Sequence, residues 1–104
     1  MPKGYVIGLI KFTDRQQFIE NFAIKVGSLI QKSGGRFLTR RPESHFREGR
    51  KCDLHVIAEF DEFDQAKTLF QSEEWENIQN LRRAYSDPEY GTFMLIEGSD
   101  TIAG

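Results

Sequence analysis

Two arginines four residues apart carry the clearest chemistry in this chain: Arg36 and Arg40, in the run Gly34-Gly35-Arg36-Phe37-Leu38-Thr39-Arg40. In a regular strand they share one face, with Cα atoms ~13 Å apart. Planar guanidinium donors so spaced could flank an anionic ligand such as a carboxylate. The same residues also suit an edge strand, where Arg36, Arg40 and Arg41 deter unwanted pairing, or ion pairs with Glu48, Glu59 or Glu97. His55 and Glu59 form a second pair, sharing a strand face around Ile57. A buried histidine near an acid can serve as a general base. About 13 Å along one strand separates the two, so each needs a cross-strand partner, and a structural histidine is the competing reading.

His45, Cys52, Asp53 and His55 invite a metal reading. Their spacing fits no zinc pattern, and Cys52 and His55 would point to opposite faces of a strand, so no metal is expected. Nothing in the sequence shows a partner that would activate Cys52, and a lone thiol is a poor candidate nucleophile. Ser72, Glu74, Trp75 and Arg82 fall in the second helical region. Ser72 reads as an N-cap, Trp75 as core, and Arg82 as a tie from helix to carboxylate. A helix break beside an aromatic ring is also a natural entry for a small ligand, which makes Ser72, Trp75 and Arg82 candidate ligand contacts. Gly34-Gly35 follows a helix instead of opening one, so it does not present the amides of a phosphate loop. No cofactor-binding motif is present, and no cofactor is expected.

A chain of 104 residues is the size of one domain. Its formal net charge of -2 argues against a nucleic-acid partner, which would require a basic surface. One cysteine and no signal-peptide pattern point to a reducing, cytoplasmic setting, and the longest apolar runs fall well short of the ~20 residues of a membrane span.

Residues Tyr5 to Phe12 read as a strand apolar on both faces. Thr13 and Gln16 have capping-box spacing, and Phe18, Phe22, Val26, Leu29 and Ile30 carry a helix to Gly34, which closes it. Gly35 relaxes the turn, and Arg36 to Phe46 follows as an extended segment interrupted near Pro42. After a turn at Glu48-Gly49-Arg50, Leu54 to Phe60 forms a central strand. Phe63, Ala66, Leu69 and Phe70 begin a second helical region that Ser72-Glu73-Glu74 breaks and restarts as Trp75, Ile78, Leu81 and Tyr85. Asp87-Pro88 and Gly91 mark a turn, Thr92 to Glu97 form the last strand, and a single domain over residues 1–98 leaves 99–104 as a flexible tail.

The order β-α-β-β-α-β predicts a ferredoxin-like α+β fold, a four-stranded antiparallel sheet with both helices on one face. The first and last strands are apolar at both parities, so the other face needs a cover. A second copy of the chain, packed sheet to sheet as a homodimer, supplies one.

Tyr5-Val6-Ile7-Gly8, Gly34-Gly35-Arg36-Phe37-Leu38, Arg40, Glu48-Gly49, Glu59-Phe60, Ala66, Ser72-Glu73-Glu74-Trp75 and Arg82 stand in an order and spacing that resembles one small family. It is the domain-of-unknown-function family thirteen-thirty, of the dimeric α/β-barrel superfamily. The resemblance runs from about Gly4 to Gly98. The chain departs from the family pattern at Arg41-Pro42, where glycines are usual, and at Lys51-Cys52-Asp53-Leu54, where Trp-x-Pro and an arginine are usual. The resemblance implies relatives that bind small organic molecules between sheet and helices, among them cofactor-independent monooxygenases and muconolactone isomerases. The expected function is therefore binding of a small polar or acidic organic molecule by a homodimer. The alternative is a cofactor-independent monooxygenase or isomerase using His55 and Glu59. RNA binding ranks last, because Leu54 to Phe60 lacks the Gly-aromatic pattern of an RNA-recognition strand.

Overall fold

The computed structural model describes residues 2–102, so positions 103 and 104 of the expected tail lie outside the described residues. Its elements are β1 (Gly4–Ile10), α1 (Arg15–Phe18), a π-helical turn (Ile19–Ala23), α2 (Ile24–Lys32), β2 (Gly35–Arg41), β3 (Leu54–Phe60), α3 (Phe63–Phe70), α4 (Glu73–Ala84) and β4 (Thr92–Glu97). The strands form one antiparallel sheet in the order β2-β3-β1-β4. This is the ferredoxin-like arrangement expected from the element order. No helix among the described residues is long and apolar enough to cross a membrane.

The first helix starts one residue later than the Thr13 capping box implies. Thr13 and Asp14 both donate their amides to the Tyr85 carbonyl, and the Asp14 side chain accepts from the Gln17 amide at 3.1 Å. The helix is also not uniform. Its buried residues Phe18, Phe22, Val26 and Ile30 are spaced strictly by four, so on a 3.6-residue helix each step would drift by about 40°. The wider π turn at Ile19–Ala23 takes up part of that drift and keeps all four on the core.

Gly34, at φ 93°, ends the helix as expected. Gly35 does something different from relaxing the turn. It opens β2, and a Cβ there would stand 2.7 Å from the Phe60 ring and 2.9 Å from Ile30, so the glycine is what lets strand and helix close. Strand β2 stops at Arg41 and does not reach Phe46, because Pro42 offers no amide to the ladder. The break at Ser72 forms as the sequence implies: its hydroxyl accepts from the Trp75 amide at 3.1 Å, and Glu73, Glu74 and Glu76 occupy the first turn of α4.

Register sorts the sheet into two faces. On the helix side lie Phe37, Ala58, Val6 and Leu95 in one row and Arg40, Val56, Gly8 and Phe93 in the next. The core of Val6, Ile10, Ala58 and Phe60 packs there against Phe18, Phe22, Leu69 and Trp75. The opposite face carries the rows Arg36-Glu59-Tyr5-Ile96, Thr39-Ile57-Ile7-Met94 and Arg41-His55-Leu9-Thr92. No element among the described residues covers it, and Met94 and Ile96 are 41 % and 45 % exposed.

Candidate functional site

The β2–β3 register decides the fate of the arginines. Pairing is regular to Phe37↔Ala58 and resumes at Thr39↔Ile57, so Leu38 is an extra residue and the strand bulges. The expectation that Arg36 and Arg40 share a face assumed an uninterrupted strand. One inserted residue inverts the parity beyond it, so Arg36 faces the open side and Arg40 the helix side.

Arg36 sits opposite Glu59 and is committed. Its guanidinium bonds to Glu59 and, at 3.0 Å, to Asp61, while Lys3 lies 3.9 Å and 3.6 Å from the same two carboxylates. The Tyr5 hydroxyl and then Arg36 hold the Glu59 carboxyl below its ordinary range against a partial burial that opposes them. Arg36 likewise lowers Asp61, and Glu59 in turn raises the Tyr5 phenol. Glu59 is thus kept ionised within an ion-pair network.

His55 shares the open face with Glu59 but not its surroundings. Its Nδ1 lies 3.1 Å from the Arg41 carbonyl, in the row that pairs it with Leu9. The structure therefore places His55 and Glu59 two rows apart, with Ile57 between them and both on the side away from the helices. Near the β2–β3 loop, Cys52 is buried and Asp53 accepts from the Phe12 amide at 3.0 Å, with Lys11 at 3.8 Å. No three His, Cys, Asp or Glu side chains are grouped as metal ligands among the described residues.

Arg40 stands apart from these networks. Its guanidinium lies 3.9 Å over the Phe37 ring, and its Nη1 reaches the Ala23 carbonyl of the π turn at 3.4 Å. It forms no ion pair among the described residues. Beneath it, an outer cleft of about 400 Å³ is lined by Ile19, Ala23, Ile24, Gly27 and Leu54, with Arg40 as the charged member. It adjoins an apolar inner cavity of about 40 Å³, which shares Ala23, Arg40 and Leu54 and reaches Val56 and Phe93. Gly8 sits between those last two in the row, and its missing side chain leaves the floor low. Such a place fits an apolar body with one anionic end.

The remaining candidates are dispersed. Ser72 caps α4 and lines an open groove of about 460 Å³ between α2 and α3 with Lys32, Glu62, Asp64 and Glu74, sharing no lining residue with the cleft beneath Arg40. Trp75 is core: it stacks on Phe93 with centroids 5.4 Å apart and meets Phe22 and Phe70 edge to face. Arg82 is buried with its guanidinium 4.5 Å from the Phe93 centroid, and forms no ion pair with a carboxylate among the described residues. The expected tie from α4 to an acid is absent, since an aromatic ring occupies that approach. The residues that sequence reading missed are Ala23, Ile24, Gly27 and Leu54. A glycine inside a helical run was the available signal, because it weakens the helix unless space is needed there.

Sheet order and one-sided helices together define a ferredoxin-like α+β protein. The match of residues 3–99 to the family model "Domain of unknown function (DUF1330)" is specific within that class, and the chain belongs to that family. No curated protein sequence matches it. Among solved structures it is similar to RPA0582, a protein of unknown function from Rhodopseudomonas palustris, at a TM-score of 0.73 and 12% identity, covering 96% of this chain and 85% of that one. SnoaB, a cofactor-independent oxygenase from Streptomyces nogalater, gives 0.64 at 16% identity with 100% of both chains covered. A dimeric protein of unknown function with a ferredoxin-like fold from Bacteroides fragilis NCTC 9343 gives 0.51 at 13% identity, covering 92% and 96%. At these identities the likeness speaks to fold.

Proposed function

We propose that this protein binds a small organic acid with an apolar body, placing the carboxylate on Arg40 and the body in the cleft between the sheet and the first helix. The observation that carries this reading is Arg40 itself: a cation without an acid partner among the described residues, set over an otherwise apolar cleft. Gly27 supports it. The interior of α2 would be firmer with alanine, yet glycine keeps the space beside Phe37 and the Arg40 Nη1 open. The protein works as a homodimer packed through its open sheet face, which removes Ile7, Ile57, Met94 and Ile96 from water. The single, buried Cys52 is in keeping with a cytoplasmic setting.

Thermal unfolding in sodium hexanoate, benzoate and acetate tests the ligand. The two acids with larger apolar bodies raise the melting temperature, by roughly 10 °C or more when present at a hundredfold over Kd. Arg40→Met removes the response and Arg36→Met keeps it. No response from the wild type, or an equal one in Arg40→Met, defeats the reading.

A cofactor-independent oxygenase or isomerase is the second reading, supported by the full-length likeness to SnoaB. His55 and Glu59 are its proton-handling candidates, acting on the sheet face where the second copy packs. Turnover of an oxidisable organic substrate that is lost in His55→Ala and kept in Arg40→Met would favour it over binding alone.

A further inference from the structure

Gly8 stands in the middle of β1, a strand paired on both sides, where a glycine gives up strand stability. A bulge, a left-handed backbone or a close backbone neighbour would each account for it, and Gly8 has none of them. Both ladders run in register through it, with Val56 on one side and Phe93 on the other. Its φ is not positive. A Cβ built on it would have three side chains as its nearest neighbours, 3.5 Å from Val56 Cβ, 3.6 Å from Phe93 Cδ2 and 3.9 Å from Ile10 Cδ1. These are ordinary contact distances, so packing within the chain would accept alanine. The remaining reason for glycine in a strand interior is the close approach of a ligand.

The space over Gly8 suits one kind of ligand. All three of those neighbours line the apolar inner cavity of about 40 Å³, as does Val6 on the same face of β1. Val56 and Phe93 are only half-buried although they face the helices, whereas Ala58 and Phe60 on that face are fully buried. The helices leave this part of the sheet unfilled. Arg40 is the one lining residue with a polar side chain, so water entering the cavity would find no second partner there. The volume admits about three water-sized groups in file, and falls well short of the ~150 Å³ of a cavity that takes a benzene ring. Arg40, Ala23 and Leu54 line the outer cleft as well, so a carboxylate on Arg40 stands where the two spaces meet. Val56 alone separates Arg40 from Gly8 in the row, a span of two strand spacings, ~9.5 Å.

We propose that the acid held by Arg40 is a straight-chain aliphatic one, that its tail crosses Val56 into the inner cavity, and that Gly8 sets how long the tail can be. This rests on the reading of Arg40 as the carboxylate site. An aromatic acid uses the outer cleft alone and does not feel Gly8.

Isothermal titration of the wild type with straight-chain acids of four to ten carbons, and with benzoate, tests the tail. Affinity rises roughly fourfold for each methylene that enters the cavity and levels off when the chain reaches its end. Gly8→Ala moves that levelling about one carbon earlier, weakens the acids that fill the wild-type cavity about fourfold, and leaves benzoate unchanged. Should Gly8→Ala not fold, Val56→Ile adds a methyl from the neighbouring strand and has the same effect. An unchanged chain-length profile in the folded variant overturns the role of Gly8, and binding that is still lost in Arg40→Met then leaves the carboxylate site standing. Benzoate weakened as much as the long acids overturns the separation of ring from tail. A wild type that binds none of these acids overturns the carboxylate site and the tail together.

Discussion

Replacing Gly27 by alanine should make the fold more stable while weakening its hold on organic acids. The glycine lies inside α2, and a Cβ built on it stands 3.8 Å from Phe37 Cε2 and 3.9 Å from Arg40 Nη1. Both are ordinary contact distances, so the methyl enters without displacing either neighbour. The helix then recovers about 0.5–1 kcal/mol that glycine costs in a helix interior. For a domain of this size that corresponds to a rise in Tm of roughly 2–8 °C. The same methyl sits against the nitrogen that already reaches the Ala23 carbonyl, and so closes one approach to the guanidinium. Losing one charged hydrogen bond of ~1.5 kcal/mol weakens a carboxylate about tenfold. Scanning calorimetry without ligand and isothermal titration with hexanoate read the two effects separately. A lowered Tm would refute the packing argument, and a raised Tm with unchanged hexanoate affinity would refute the role given to the space above Arg40.

Two further predictions concern the open face. Glu59 and Asp61 have pKa values held below those of the unfolded chain. The unfolded state therefore binds more protons as pH falls, and their contribution, present in full above the ordinary carboxylate range of about 4, is lost progressively below it. Chemical denaturation from pH 7 to pH 2 should show that decline, and Glu59→Gln should flatten it; an unchanged slope in the variant would remove Glu59 from the network. Met94→Lys and Ile96→Lys place charge on the exposed apolar rows and should convert a dimer to a monomer in sedimentation equilibrium at micromolar concentration, with far-UV circular dichroism retained. A wild type that sediments as a monomer would argue against sheet-to-sheet packing.

Local signals carried most of the architecture. Alternation marked the strands, Gly34 and Ser72 marked helix ends through their own backbone and side-chain chemistry, and the uncovered sheet face followed from apolar residues at both parities of β1 and β4. The π turn left a trace that was not used, the strict four-residue spacing from Phe18 to Ile30. The bulge at Leu38 left none, since no glycine marks it and it depends on how β2 meets β3, a relation between distant segments. That one residue misplaced Arg40, and with it the candidate site. Strand parity did place His55 and Glu59 together on a face, but parity alone does not say which face the helices take. Arg82's lack of an acid partner was equally beyond reach, because it depends on where Phe93 lies in three dimensions.

The bulge also bears on how much the length of β2 matters. Beyond it, Arg40 pairs with Val56 and Arg41 with His55, so two adjacent arginines are divided between the inside and the outside of the sheet. Deleting Leu38 would leave every pairing as it is and merely straighten the strand. Ironing out the bulge with Leu38 retained would instead slide the chain by one residue and bring Arg41 to the inner side in place of Arg40. Doubling the arginine thus acts as insurance against slippage: gain or loss of one residue in this edge strand still delivers a guanidinium to the cleft, so the site can outlast changes of length that would erase it were the charge carried only once.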